Sequence, residues 1–304
     1  MADTLQSDGE TWARQRRLVA PNLNERISEK VWDESLTQAR QMAGFLLRVP
    51  AGLADDTISS LRAVAINVLG RVGYDEPKPF RPMELPRTPD APMTYVEAIS
   101  ICTELLVLAS LLPGWLLRLP FMPTPIRTVG AALANLPGLT KDMLDEERRQ
   151  AAETDTARDN LMSMLVRLSD QGKADDRLGK GGSGGTGQFL TEDEIAGNLF
   201  VFTGAGFDTT ATTLTYAIAL LAVYPEWQAW IQEEIDLVFG DAVKTADADD
   251  TFDYATCFPK LNRCLALMVS FPSLSTQIPR GRVLSSPPSA HTLLTVLCRT
   301  SSKR

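Results

Sequence analysis

The chain has 304 residues, 44% hydrophobic and 22% charged, so it can bury a sizeable core and is not disordered throughout. A net charge of −8 argues against a nucleic-acid binder, because phosphate recognition needs a basic face. Four scattered cysteines fit neither a disulfide framework nor a zinc site and point to a reducing compartment, and the single histidine, His291, has no GxSxG elbow beside which a hydrolase triad could form.

The first twenty residues contain neither a signal peptide nor a membrane anchor, and the chain as written reads as cytoplasmic. Residues 9–20 (GETWARQRRLVA) predict a short basic helix ending before Pro21. From 25 to 47, Ile27, Val31, Trp32, Met42, Phe45 and Leu46 recur at helical spacing. The next helix starts at Asp56–Thr57, carries Ile58, Leu61, Ala65, Val68 and Val72 on one face, and takes Gly73 as its stop. Six prolines between Pro77 and Pro92 make an irregular connection.

A hydrophobic helix from Thr94 is broken near Pro113 and again around Pro120–Pro125. The apolar run Leu105–Leu117 is 13 residues long and contains a proline; a spanning helix needs about 20, so the run reads as buried or interfacial. Amphipathic helices are expected over 126–152 and 156–169. The glycine-rich stretch within 171–190, GKGGSGGTG, lacks the preceding strand and the Lys-Ser/Thr of a phosphate loop and reads as a surface loop.

The longest helix opens at Thr191, with Glu194 completing a capping box and Glu192, Asp193 and Glu194 at the positive end of the helix dipole. Its apolar pattern passes through Ile195, Leu199, Phe202, Leu214, Ile218 and Leu221 to Tyr224. A helix after Pro225 turns Trp227, Ile231, Ile235 and Val238 inward and stops at Gly240. An acidic loop, 241–253, precedes a helical piece over 258–268. Strand signals are sparse, and the fold class is mainly α with little β.

The middle of the longest helix, FTGAGFDTTATT, holds poor helix formers. Glycines there let something bulky lie against the backbone, and threonine hydroxyls can bond back to the preceding turn and open the helix locally. Asp208 is an expensive group in that setting unless it has a task or a partner. A polar notch in a core helix is the bland alternative.

Residues 205–210, Ala-Gly-Phe-Asp-Thr-Thr, resemble the oxygen-activation motif (A/G)-G-x-(D/E)-T-(T/S) of the cytochrome P-450 monooxygenases. The resemblance implies a partial cytochrome P-450 fold, a helical core with this long helix lying over a haem b. It gives Gly206 the role of leaving room for dioxygen, Thr209 that of holding a proton-delivery water, and Asp208 that of feeding protons. Ala205 and Thr210 become cofactor contacts. Trp12 and Arg16 match the family's W-x-x-x-R, which contacts a haem propionate, and at i and i+4 they share one helix face. Phrases around Asn67–Gly70, YPEWQAWIQEEI and CFPKLNRCLALM follow in family order and resemble the fungal microsomal branch. Phe202 and Phe207, with the 94–125 region, are the expected substrate contacts.

Other family features are absent from the sequence. The membrane anchor, proline-rich hinge and first helices are missing ahead of Trp12. No glutamate follows Glu234, which removes E-x-x-R, and the F-x-x-G-x-R-x-C-x-G loop that carries the iron thiolate does not occur. Cys298 is nearest by position, but no protein metal ligand is assigned. The expected organisation is therefore a partial family domain over 1–280, truncated at both ends, and a non-family, disordered tail over 281–304.

The resemblance implies oxidation of a lipophilic small molecule, with secondary metabolism as an expected setting and electrons from an NADPH-dependent reductase; full-length relatives are expected at the endoplasmic reticulum. The alternative is a haemless remnant or helical interaction protein that catalyses nothing.

Overall fold

The computed structural model describes residues 8–48, 57–84, 88–105, 112–153, 160–177, 189–245 and 252–267. These residues are helical with irregular connections and contain no strand, in keeping with the mainly-α expectation. Glycine-rich 179–187, tail residues 281–304, His291 and Cys298 lie outside the described residues.

The chain forms two compact units. The first comprises residues 1–27, 69–78 and 84–208. Its elements are α1 (Gly9–Val19), the end of α3 (Thr57–Tyr74), α4 (Tyr95–Glu104), α5 (Gly114–Leu117), α6 (Thr124–Glu153), α7 (Leu161–Arg177) and the first half of α8 (Glu192–Val223). The helices α4, α5 and α7 all pack on α6. The approach of α5 depends on Gly130, where a Cβ would fall 2.9 Å from Leu117 Cβ and 2.8 Å from Arg118 Cγ. The interior contains Ile99, Leu165, Leu190, Ile195, Leu199 and Phe207, apolar side chains whose burial drives the packing.

The second unit comprises residues 28–68, 79–83 and 209–304. It contains most of α2 (Glu25–Arg48), the first two-thirds of α3, the second half of α8, α9 (Pro225–Thr245) and α10 (Tyr254–Cys257). Met42, Leu46, Leu61, Val64, Val68, Phe80 and Ala211 form its core. Asn67 donates to Gln38 Oε1 at 3.0 Å, a buried polar link between α2 and α3. Trp32 anchors an aromatic cluster: its indole N–H donates to the Phe252 carbonyl at 2.7 Å, its ring stacks on Phe239, and Tyr254 and Phe258 meet it edge-on.

Several boundaries differ from the sequence reading. Gly73 does not stop α3; the helix runs to Tyr74 and ends on Asp75, which takes the left-handed conformation (φ 56°). Aspartate tolerates that region better than most residues, and the Glu76 amide reaches back to the Gly70 carbonyl at 3.1 Å. Gly240 does not stop α9, which continues through 241–245. One glycine costs a helix only about 1 kcal/mol. Residues 171–177, read as part of a loop, complete α7, because Gln, Lys, Ala and Arg are good helix formers. Trp227, expected inward, is 40% exposed on α9.

Candidate functional site

The start of α8 has the capping box that its sequence requires. The Glu194 amide donates to Thr191 Oγ1 at 3.2 Å, and Glu194 Oε2 accepts from the Thr191 amide at 2.9 Å. The same carboxylate also fixes α1. Arg14 reaches it with two guanidinium nitrogens, one at 3.1 Å, and donates to the Phe189 carbonyl at 2.6 Å. Gln15 donates to Glu194 Oε1 at 3.3 Å and accepts from Asn198 at 3.0 Å. Burial pushes the Glu194 carboxyl up, but hydrogen bonds from Arg14 and the Thr191 backbone, with the Arg14 charge, outweigh it and hold the group below the ordinary carboxylate value.

Sequence reasoning missed Arg14, Gln15 and Asn198. The available signal was that Gln15 and Val19 share a helix face, so a polar group occupied a buried register. With that face pinned, Trp12 and Arg16 emerge together on the exposed side of α1, the guanidinium carbon 5.1 Å from the indole centroid.

The middle of α8 separates its two central glycines by role. A Cβ on Gly204 would lie 3.2 Å from Thr103 Cγ2 and 3.5 Å from Ile99 Cγ2, so this glycine admits α4. A Cβ on Gly206 would meet Leu69 Cδ2 at 3.8 Å, an ordinary contact, so packing does not require glycine there. Ala205 and Gly206 are exposed, as are Thr209 and Thr210 further along the helix. At i, i+1, i+4 and i+5 these four occupy one face of a continuous α-helix. Asp208 and Phe202 are half-buried, whereas Phe207 is 2% exposed and is a core side chain.

The threonines do bond back. Thr203, Thr213 and Thr215 each donate to the carbonyl four residues earlier at 2.8 Å. They do not open the helix, which stays continuous from Glu192 to Val223, because a carbonyl has lone pairs for both the hydroxyl and the helical amide.

The described thiols are shifted upward by their surroundings. Burial pushes Cys102 up to about 12 and raises Cys257; burial, then the Glu234 charge, pushes Cys264 up to about 11. Glu234 itself accepts backbone N–H bonds from Arg263 at 2.8 and 2.9 Å and from Cys264 at 3.1 Å, capping the helical residues 262–267. Among the described residues no cluster of three or more His, Cys, Asp or Glu side chains can hold a metal, and no helix is long and apolar enough to cross a membrane.

A long continuous helix with an exposed small-and-hydroxyl face, and a Trp-Arg helix docked at its start, is the mainly helical arrangement that the sequence motifs implied. The Cytochrome P-450 family model matches residues 2–253, and the chain belongs to that family. It is 28% identical over 301 residues to the phomenoic acid biosynthesis cluster cytochrome P-450 monooxygenase of Leptosphaeria maculans, covering 94% of this chain and 48% of that one. It is 26% identical over 265 residues to cytochrome P-450 monooxygenase 124 of Postia placenta, covering 86% and 47%. Among solved structures, the haem domain of cytochrome P450DA superposes with a TM-score of 0.59 at 18% identity, over 84% of this chain and 48% of that one. The chain thus spans about half the length of the curated relatives it matches.

Haem is the cofactor of this family. The fit of the described residues to it is divided. The exposed 205, 206, 209 and 210 positions suit close approach by a flat group, and Trp12 with Arg16 suits a carboxylate. Of the three described cysteines, Cys102 and Cys257 are buried and Cys264 is half-buried, so none stands open as an axial iron ligand.

Proposed function

We propose that this chain carries the distal, oxygen-side portion of a haem-thiolate monooxygenase that oxidises a lipophilic small molecule. The reading rests most on one observation: α8 exposes Ala205, Gly206, Thr209 and Thr210 on one face, with a glycine at 206 that the chain's own packing does not demand. Haem, when bound, supplies the family's dioxygen chemistry. On the protein side, Gly206 leaves space, Ala205 and Thr210 border it, Thr209 Oγ1 holds a proton or water, and Asp208 relays protons towards it. Trp12 and Arg16 bind a propionate. Phe202 faces the substrate, and Phe207 supports α8 from the core. A reductase drawing on NADPH supplies electrons. The biosynthetic-cluster name of the Leptosphaeria relative supports a substrate from secondary metabolism.

Haemin titration of the full chain, followed by its Soret absorbance, tests this reading. Saturable binding that weakens about tenfold in Arg16→Leu, and further in Gly206→Phe, is expected, since each removes a charge partner or the space for the ring. Equal binding by the wild type and both variants refutes the distal assignment. The reduced carbon-monoxide difference spectrum is expected to lack the thiolate-type band; its presence would assign the ligand to Cys298. The burial of Cys102 and Cys257 favours a second reading, a helical interaction protein without haem, which absence of saturable haemin binding would select.

A further inference from the structure

Within the first unit, the buried side of α8 is held at two consecutive residues by two different helices. Gly204 lies against Thr103 and Ile99 of α4, an apolar contact that limits approach but has no preferred direction. Thr203, 0% exposed, instead meets Tyr74 of α3 through a bond between the two hydroxyls. Thr203 Oγ1 donates its only proton to the Leu199 carbonyl at 2.8 Å, so towards Tyr74 it can only accept, and the phenol is the donor.

The surroundings of Tyr74 keep it in that role. It is the last residue of α3, and the turn that carries it is closed by the left-handed Asp75 and by the Glu76 amide on the Gly70 carbonyl. Tyr95 meets its ring edge-on at 5.9 Å. Burial pushes the phenol up to about 12, so the proton it donates stays in place at neutral pH. Thr203 and Gly206, at i and i+3, share one edge of α8, the first buried and the second exposed. A hydrogen bond weakens steeply once its angle is lost, so a rotation of α8 that carried Gly206 inward would first have to break the Tyr74 bond.

We propose that Tyr74 is a positioning residue for the oxygen-side face: by donating to Thr203 it fixes the rotational setting of α8 and keeps Ala205 and Gly206 open. The inference rests on the distal haem reading for its purpose, whereas the clamp itself operates without haem.

Amide exchange of the full chain without haem is the first arm of the test. In Tyr74→Phe and in Thr203→Val, exchange over residues 203–208 is expected to quicken about threefold to tenfold, the range for one lost hydrogen bond, with residues 161–166 of α7 unchanged. Tyr95→Phe removes a buried hydroxyl that has no partner of hydrogen-bonding geometry and should change neither segment. Haemin titration, under conditions where every variant is folded, is the second arm. Affinity is expected to fall about threefold to tenfold in Tyr74→Phe and Thr203→Val and to recover in Thr203→Ser, which keeps the hydroxyl; a role in stability alone would leave haemin affinity unmoved. Wild-type exchange over 203–208 in Tyr74→Phe, an equal effect of Tyr95→Phe, or unchanged haemin affinity in Tyr74→Phe beside a binding wild type would overturn the proposal. If no chain binds haemin, the haem reading fails, and the exchange arm still decides whether Tyr74 sets α8.

Discussion

Replacing Glu194 by glutamine keeps the length of the side chain and an oxygen for the Thr191 amide, but removes the charge that Arg14 answers. Breaking a fully buried ion pair costs about 3–5 kcal/mol and breaking an exposed one about 0–1. Arg14 and Glu194 are 17% and 7% exposed as side chains, which places the expected loss between those limits, at about 2 kcal/mol. With a urea slope of about 2 kcal/mol/M, the unfolding midpoint falls by about 1 M. The sign with pH is fixed by the lowered Glu194 value. A carboxylate depressed in the folded state stabilises fully above its ordinary value of 4.5 and loses that contribution as the pH falls through the folded value. The gap between wild type and Glu194→Gln is therefore full at pH 7 and closes below pH 4.5. Urea melts at both ends of that range, with amide exchange over residues 9–19 to report release of α1, provide the assay. A gap that stays constant with pH, or undiminished protection of α1 in the variant, would refute the clamp.

Gly130→Ala is expected to destabilise by about 1–3 kcal/mol, because its Cβ meets the Leu117 backbone carbon at 3.0 Å as well as two side chains. Gly206→Ala should be neutral or stabilise by up to about 1 kcal/mol through helix propensity; a melt showing clear destabilisation would contradict the packing described for α8. Alkylation of Cys264 should keep accelerating beyond pH 9, the ordinary thiol value, towards about 11; a plateau at 9 would count against the influence of burial and Glu234.

Local features of the candidate site were legible because their causes are local. The Thr191–Glu194 box and the shared face of Trp12 and Arg16 follow from spacing along one helix. Docking of Arg14 onto Glu194 did not, since the partners are 180 residues apart and a basic helix usually faces solvent. Gly204 and Gly206 look alike in sequence, and only the neighbours Thr103 and Ile99 show that the first is a packing glycine. The periodicity of α8 is blurred because it is apolar on most sides, so the core position of Phe207 could not be separated from an exposed one. Gly73 and Gly240 misled for a different reason: a glycine permits a helix to end without compelling it, and Asp75 could serve instead.

The Trp32 cluster sets a timetable for the second unit. The carbonyl that receives its indole proton lies 220 residues downstream. At about 5–20 residues per second of synthesis, Trp32 waits roughly 10–40 s before that group exists. During that interval α2 can form its helix but cannot cover its tryptophan with Phe239, Tyr254 and Phe258. The nascent chain therefore carries an open aromatic surface through most of its own production, a window in which a chaperone has something to hold and a neighbouring chain has something to stick to.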